Sequence, residues 1–226
     1  MVNHNFISVN NIGECWINSI KYIVNNGNEH FDEDVKIKEV LGLSVAIENP
    51  KLEDKIIENF GDIVVINRTL DKFSKGISML DRPFTYGECI YNKNGIDQFE
   101  WLVNRIKTKK ETKSATISLL TPGDENPNLP CLNTIDIKIR DNKLILQFFF
   151  RSQNIFGRQY ANLLALVKLQ NDLAKRCDVE IGQIKGYIAS AHIYEYDFEQ
   201  ALQICDNKQI HIKDKYYTNG PSSIRK

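Results

Sequence analysis

The sequence has no excess of charge of either sign, because 29 lysines and arginines balance 29 aspartates and glutamates over 226 residues. Proteins that bind nucleic acid or an anionic membrane surface usually carry a basic excess, so we expect neither as a required partner. The chain also lacks any apolar run near the roughly 18–20 residues that a membrane-spanning helix needs. Its N-terminal segment has no charged-then-apolar pattern typical of a secretory signal. We therefore expect a cytoplasmic protein that holds any anionic ligand through a few placed cations.

Patterns of metal ligation and disulfide bonding are absent too. The cysteines are odd in number and widely spaced, they form no Cys-x-x-Cys pair, and the four histidines are scattered along the chain. This arrangement is typical of reduced thiols in the cytosol, and it lacks the ligand spacing of a structural zinc site. We predict no metal and reduced thiols at Cys15, Cys89, Cys131, Cys177 and Cys205.

Length and periodicity predict one domain over residues 1–226, since a domain has roughly 100–200 residues and neither a repeat nor a linker interrupts this chain. Apolar residues at helical spacing predict helices over 11–26, 95–110 and 160–176. Alternating or clustered apolar residues predict strands over 41–47, 63–66, 115–120, 132–140, 144–150 and 187–196. Because strands outnumber long helices and Asp141-Asn142-Lys143 signals a hairpin, we expect an α+β fold with a mixed sheet.

Cys131 is the strongest candidate nucleophile. It follows Pro130 where a polar loop meets a predicted strand, and Arg151 closes the second strand of the same predicted hairpin. The hairpin would therefore bring a guanidinium next to the thiol. A nearby cation favours the thiolate, which is the reactive form and is scarce for a free thiol at neutral pH. An ordinary half-buried thiol is the alternative interpretation for Cys131, and we adopt it for the other four cysteines.

A series of polar residues follows Cys131 at distinctive intervals. Arg151-Ser152 comes twenty residues later, Asn162 lies eleven residues after Arg151, and His192 and Tyr194 alternate on one predicted strand. In order and spacing these residues resemble the thymidylate synthase family, which also contains the pyrimidine-nucleotide hydroxymethylases. The resemblance covers roughly half of the chain, residues 86–197, and the short length is similar to the compact archaeal-type branch. It implies a twisted mixed sheet backed by helices, with two copies dimerising sheet to sheet.

The resemblance implies most of the contacts that a nucleotide needs. In the family, the cysteine matching Cys131 adds to C6 of a pyrimidine, and the pair matching Arg151 and Ser152 grips the 5′-phosphate. A planar guanidinium gives two parallel hydrogen bonds to a phosphate, and a hydroxyl adds a third. The residues matching His192 and Tyr194 contact the 3′-hydroxyl of the sugar.

Asn162 matches the residue that reads the base in this family. A carboxamide offers a donor and an acceptor side by side, which fits uracil N3 and O4 bidentately, whereas cytosine presents the reverse pattern. Family members that hydroxymethylate cytosine generally carry Asp at this place, so Asn162 favours uracil. The alternative interpretation of Asn162 is a helix-start amide that caps backbone groups.

Other positions complete the family pattern or depart from it. Tyr86 matches a phenol that lies near the reactive cysteine and the base. Lys113 stands where the family has an arginine pair that crosses from the partner subunit to the phosphate. Its ammonium group supplies a point charge in place of the parallel N–H donors of a guanidinium. Asn154 matches the aspartate that binds the pterin ring of the cofactor, methylene-tetrahydrofolate, and a neutral amide lacks the charge-assisted component. Lys36 or Lys38 could replace a further arginine near the N-terminus, although a solvated surface position is an equal interpretation.

Three functions are consistent with these residues. The first is thymidylate synthesis: C5 one-carbon transfer from methylene-tetrahydrofolate to a uridylate, in the simplest case dUMP to dTMP, through a Cys131 adduct at C6. The second is a pyrimidine-nucleotide hydroxymethylase, in which water captures the same methylene. The third is a nucleotide-binding homologue without catalysis, supported by Asn154 and the missing arginine pair. The resemblance also implies a homodimer, because the family completes its phosphate site across a two-fold interface.

Overall fold

A computed structural model describes residues 5–79, 84–121, 123 and 129–205 of the chain. In chain order the elements are β1 (Phe6–Val9), α1 (Ile12–Asn26), β2 (Asn28–Asp32), β3 (Val35–Ile47), α2 (Lys55–Phe60), α3 (Ile63–Phe73), α4 (Tyr86–Tyr91), α5 (Gln98–Thr108), β4 (Ala115–Ser118), β5 (Leu132–Arg140), β6 (Lys143–Phe150), β7 (Gln153–Asn154), α6 (Ile155–Cys177), β8 (Glu180–Tyr194) and α7 (Phe198–Cys205). None of these helices is both long and apolar enough to cross a lipid bilayer.

The strands in the described part of the chain form one mixed sheet in the order β1-β3-β8-β6-β5-β4, with β2 added beside β3 and β7 beside β8. β5 and β6 form an antiparallel hairpin, and β8 runs parallel to β6. A parallel pair needs a long crossover connection, and α6 supplies it. The expected α+β fold, a twisted mixed sheet backed by helices, is confirmed.

Helix α6 is the centre of the helical layer, and α1 holds its first turn. Trp16 of α1 is fully buried. Its indole N–H lies 3.1 Å from the carbonyl oxygen of Ile155 and 3.0 Å from that of Phe156. Its ring packs against Tyr160, with 4.6 Å between ring centroids. A buried indole needs such a partner, so this contact fixes the start of α6 on α1.

The β5–β6 hairpin forms as the sequence predicts. Asp141 and Asn142 take positive φ angles of 49° and 61° in its two-residue turn. These are the left-handed conformations that a tight hairpin turn requires and that Asp and Asn tolerate. The turn sets the register as far as Thr134, which faces Phe149. An irregularity between Leu132 and Thr134 then shifts the register by one residue, so that Leu132 at the start of β5 faces Phe150 at the end of β6.

The predicted strand over 63–66 is wrong, because these residues open helix α3. The Asp62 carboxylate accepts hydrogen bonds from the backbone N–H groups of Val64 and Val65 at 2.7 and 3.2 Å. Such an N-cap satisfies donors that a strand would leave for sheet pairing. The period of a short apolar run cannot tell a strand from a helix. Here the Asp62 cap determines that residues 63–66 are helical.

Three other elements begin several residues earlier than the sequence predicts. The strand predicted over 41–47 is β3, which starts at Val35, and α6 and β8 also start early. α6 starts at Ile155 because the Asn154 side-chain oxygen accepts from the backbone N–H of Gly157 at 2.9 Å. β8 starts at Glu180, and its first residues include exposed polar side chains that hide the alternation. The left-handed Asp178, with φ of 54°, ends α6 and turns the chain into β8.

Candidate functional site

Cys131 and Arg151 lie together at the open end of the β5–β6 hairpin. The backbone N–H of Arg151 donates to the carbonyl of Cys131 at 2.9 Å. The Arg151 side chain donates to the carbonyl groups of the two residues that precede Cys131. Nε lies 3.2 Å from Pro130 O and Nη2 lies 2.9 Å from Leu129 O. The hairpin thus brings the guanidinium to the loop that carries the half-buried thiol. A guanidinium has five N–H donors, more than these two bonds use.

Tyr86 reaches the same place from the helical layer. It is the first residue of α4, and its hydroxyl oxygen lies 3.4 Å from the backbone N–H of Leu132, the residue after Cys131. Gly87 allows this approach, since a Cβ there would lie 2.1 Å from the carbonyl oxygen of Ser74 at the end of α3. The thiol, the guanidinium and a phenol therefore surround the start of β5.

The capping box of α4 accounts for Glu88. The Thr85 hydroxyl accepts from the backbone N–H of Glu88 at 3.1 Å, and the Glu88 carboxylate accepts from that of Thr85 at 2.6 Å. A hydrogen bond from Ser78 is the main reason why the pKa of Glu88 is lowered from its ordinary value. This carboxylate is ionised and fully engaged in holding α4, and hence Tyr86, in position.

His192 and Tyr194 share one face of β8, as their spacing predicts. Their rings meet edge to face with 5.0 Å between centroids. His192 is 6% exposed, and burial lowers its pKa, partly offset by the nearby charges of Asp32 and Glu39. Burial raises the pKa of Tyr194, and its hydroxyl donates to Asp32 Oδ2 at 2.6 Å. Near neutral pH the imidazole is therefore uncharged and the phenol keeps its proton.

A cavity of about 350 Å³ opens beside His192. Its volume is within the range of small-ligand sites, roughly 300–1,000 Å³. The wall contains Ser152 and His192 from the predicted nucleotide site, but it contains two carboxylates and neither a lysine nor an arginine. In the described part of one chain, this cavity is therefore acidic. The lining residues are His30, Phe31, Asp32, Ile37, Glu39, Ser152, Ser190 and His192.

Sequence reasoning missed Asp32, Glu39 and Ser190. The first two come from the β2–β3 hairpin, which pairs with β8 so that Glu39 faces His192. The Asp32–Tyr194 contact spans 162 residues of sequence and the Glu39–Ser190 contact spans 151. No local pattern signals such contacts; only the strand order brings these residues to the cavity.

Asn154 lies directly before α6, and Asn162 lies within it. Asn154 is in register with His192 through the β7–β8 pair, and its side-chain oxygen caps α6. Asn162 is half-buried two turns into the helix. The alternative interpretation of Asn162 as a helix-start cap is therefore wrong, because Asn154 does the capping. The predicted pterin contact of Asn154 and base contact of Asn162 stay predictions.

The predicted lysines do not reach the cavity within one chain. Lys113 is exposed just before β4, which is separated from β8 by β5 and β6. Lys36 pairs with Glu29 at 2.7 Å, and Lys38 donates to the carbonyl of Val24 at 2.7 Å. Their contacts favour the surface interpretation for Lys36 and Lys38, whereas Lys113 was expected to act on a partner subunit.

The fold and the site are typical of an α+β enzyme that acts on a small polar ligand. A thiol, a guanidinium and a phenol meet at the start of β5, and Ser152, the residue after Arg151, lines a cavity of suitable size. Residues 17–215 match the family model described as thymidylate synthase. The chain belongs to the thymidylate synthase family, as the order and spacing of its polar residues predict. Membership in this family supports a one-carbon transferase active in nucleotide biosynthesis.

Curated relatives agree with this assignment over nearly their whole length. A protein of Methanosarcina mazei is 34% identical over 206 residues, which cover 88% of this chain and 93% of the relative. A protein of Methanothermobacter marburgensis is 30% identical over 218 residues, which cover 89% of this chain and 98% of the relative. Both carry the name "Putative thymidylate synthase".

Proposed function

We propose that this protein transfers a one-carbon unit from methylene-tetrahydrofolate to C5 of a uridylate, with dUMP to dTMP as the reaction that the family favours. The observation that carries the proposal is the meeting of Cys131, Arg151 and Tyr86 at the start of β5. Each of these residue types has a defined role in adding a thiolate to an electron-poor ring.

Cys131 is the nucleophile of this proposal. Its thiolate forms a bond to C6 of uracil, and the electrons of the C5=C6 double bond move toward C5 and O4. C5 thereby becomes a carbon nucleophile. When C5 has gained its substituent and lost its proton, cleavage of the sulfur–C6 bond restores the double bond and the free cysteine. Arg151 provides positive charge at the loop that holds the sulfur, and also a donor set for the 5′-phosphate, with Ser152 in the cavity wall.

The residues at the start of α6 suit a base and a pterin. Asn162 would pair its carboxamide with N3 and O4 of uracil. Asn154 is half-buried and in register with His192, so a pterin held there would lie at the edge of the nucleotide cavity. Bound methylene-tetrahydrofolate would supply the one-carbon unit and, for a methyl product, the hydride.

Hydroxymethylation is the second candidate, because it uses the same nucleotide contacts. The observation that favours it is the polar wall of the cavity beside His192. Hydride transfer requires that water be kept away from the exocyclic methylene, whereas hydroxymethylation requires water to reach it. A homologue that binds nucleotide without catalysis is the third candidate, supported by the acidic cavity and by Asn154.

One incubation separates the three candidates. The protein is mixed with dUMP carrying tritium at C5 and with methylene-tetrahydrofolate, and the nucleotide product is analysed by mass spectrometry. We expect tritium release, a methyl gain and formation of dihydrofolate. A hydroxymethyl gain with tetrahydrofolate retained would replace this proposal by the second candidate, and no tritium release would replace it by the third.

We also propose a sheet-to-sheet homodimer. The face of the sheet opposite the helices exposes apolar side chains on adjacent strands, where Phe149 and Tyr187 stack with 5.6 Å between their ring centroids. Leu41 on β3 is 68% exposed. A second copy on this face would cover these side chains, and it would provide cations such as Lys113 that the cavity of one chain lacks.

A further inference from the structure

The wall of the cavity contains a chain of hydrogen bonds that ends on His192. Glu39 faces His192 across the β3–β8 pair, and Ser190 lies two residues before His192 on β8. The Ser190 hydroxyl donates to Glu39 Oε1, and its oxygen lies 3.4 Å from His192 Nδ1. Glu39, Ser190 and His192 thus form a relay from a carboxylate through a hydroxyl to an imidazole.

The relay determines which ring nitrogen of His192 carries the proton. A serine hydroxyl has one hydrogen, and Ser190 commits that hydrogen to Glu39, so toward Nδ1 its oxygen can only accept. The Nδ1 of a neutral imidazole must then be the protonated nitrogen. Nε2 is left with a lone pair and acts as an acceptor.

The free nitrogen is available to a ligand. His192 is 6% exposed and forms part of the cavity wall. Within the described part of the chain, no residue forms a hydrogen bond with its Nε2. A ligand that enters the cavity and donates a hydrogen bond would give this acceptor a partner.

Tyr194, like His192, is left as a hydrogen-bond acceptor. Its hydroxyl hydrogen is donated to Asp32 Oδ2 at 2.6 Å, so the phenol oxygen can only accept from a further group. The two carboxylates also disfavour an anion next to these residues. Among the described residues, no group of three or more His, Cys, Asp or Glu side chains is arranged to hold a metal ion.

We propose that Glu39, acting through Ser190, and Asp32, acting on Tyr194, are positioning residues that leave both sugar-contacting side chains as hydrogen-bond acceptors. The site then recognises the 3′-hydroxyl of its nucleotide as a donor, which gives its one hydrogen to one of the two acceptors at a time. This inference rests on the proposed function, in which His192 and Tyr194 contact that hydroxyl. It adds a rule of specificity: a 3′-fluorine, which only accepts, finds no donor, whereas a 3′-amino group can donate to both acceptors.

The tautomer of His192 is the first measurement. Nitrogen-15 shifts of the histidine rings, assigned with His192→Gln, distinguish the Nδ1–H form from the Nε2–H form. We expect Nδ1–H in the wild-type protein and a shift toward Nε2–H in Glu39→Gln and Ser190→Ala. The matched control is Glu29→Gln on β2, an exposed carboxylate bonded to Lys36 and outside the cavity, which should leave the shifts unchanged.

Equilibrium binding is the second measurement. The ligands are dUMP and two analogues in which fluorine or an amino group replaces the 3′-hydroxyl. We expect the 3′-fluoro analogue to bind the wild-type protein roughly tenfold more weakly than dUMP, and the 3′-amino analogue to bind at least as tightly as dUMP. Glu39→Gln should reduce the discrimination against fluorine, because its amide can donate to Ser190 and free the serine hydrogen for Nδ1. Glu29→Gln should keep the full discrimination.

The two measurements separate this inference from the proposed function. An Nε2–H tautomer in the wild-type protein, or equal affinity for dUMP and its 3′-fluoro analogue, would overturn the relay and leave one-carbon transfer untouched. The inference would also be overturned if the Glu39→Gln and Ser190→Ala variants both kept the wild-type tautomer of His192 and the wild-type discrimination against fluorine. If dUMP itself does not bind, the proposed nucleotide site fails and the sugar rule fails with it.

Discussion

Arg151 illustrates how single residues serve both fold and site in this protein. Its backbone closes the β5–β6 hairpin against Cys131, and its side chain ties down the two residues before Cys131. A lysine would offer only a point charge and would not reproduce both bonds in one plane. The position of the thiol therefore depends on a guanidinium even before a ligand is considered.

Cys131→Ser tests the nucleophile. A serine hydroxyl is a far weaker nucleophile than a thiolate, so we expect tritium release from C5-labelled dUMP to fall to background while dUMP affinity changes little. Calorimetric titration measures the affinity. Cys177→Ser at the end of α6 is the control, since this half-buried thiol has no site residues around it, and it should retain full release. Normal turnover by Cys131→Ser would refute the covalent mechanism.

Asn162→Asp tests base reading. A carboxylate only accepts, so it would meet the uracil O4 acceptor unfavourably and the cytosine amino group favourably. We expect dUMP affinity to fall by about tenfold or more and dCMP affinity to rise. Asn104→Asp on α5 makes the same chemical change at an exposed position and should alter neither. Unchanged affinities in Asn162→Asp would show that Asn162 does not touch the base.

At the scale of the element, capping residues decide where the helices near the site begin. Asn154 starts α6, Asp62 starts α3, and the Thr85–Glu88 box starts α4. Each cap also sets the direction in which the first helical residues point. Tyr86 contacts β5 because α4 begins at that residue and Gly87 lets the helix approach α3.

Trp16→Phe tests the contact between α1 and α6. Phenylalanine keeps most of the ring but loses the N–H that bonds to the start of α6, and it leaves a small void. We expect the free energy of unfolding to fall by roughly 1–3 kcal/mol, measured by urea denaturation. Trp101→Phe is the control, because Trp101 is 41% exposed, and it should change stability by less than about 0.5 kcal/mol. An equal loss of unfolding free energy in both variants would contradict the proposed role of Trp16 in holding α6 against α1.

At the scale of the whole molecule, the two faces of the sheet differ in what covers them. One face packs against α1, α6 and the other helices, and the opposite face carries the cavity together with the exposed Phe149, Tyr187 and Leu41. Large exposed apolar side chains grouped on one face are typical of a surface that contacts another protein. The acidic cavity on the same face would gain cations from a second copy.

Phe149→Glu tests the dimer. A carboxylate at the centre of the apolar face would be desolvated without a partner, so we expect sedimentation velocity to show monomers where the wild-type protein gives dimers. Affinity for dUMP should fall at the same time, because the partner's cations are lost. Leu202→Glu, at a 53% exposed position on α7, should remain dimeric. A wild-type monomer that binds dUMP tightly would contradict the shared site.

The family was recognisable in the sequence alone, because the order and spacing of the polar residues after Cys131 resemble it. The β5–β6 hairpin and the proximity of Cys131 and Arg151 were also predictable, because they depend on local periodicity and a two-residue turn. The sequence did not determine that 63–66 is helical, since a brief apolar run fits either period until its cap is known. The positions of Asp32 beside Tyr194 and of Glu39 beside His192 became visible only in the folded sheet. That juxtaposition depends on β3 pairing with β8, a choice made by the packing of the whole sheet and absent from any local pattern.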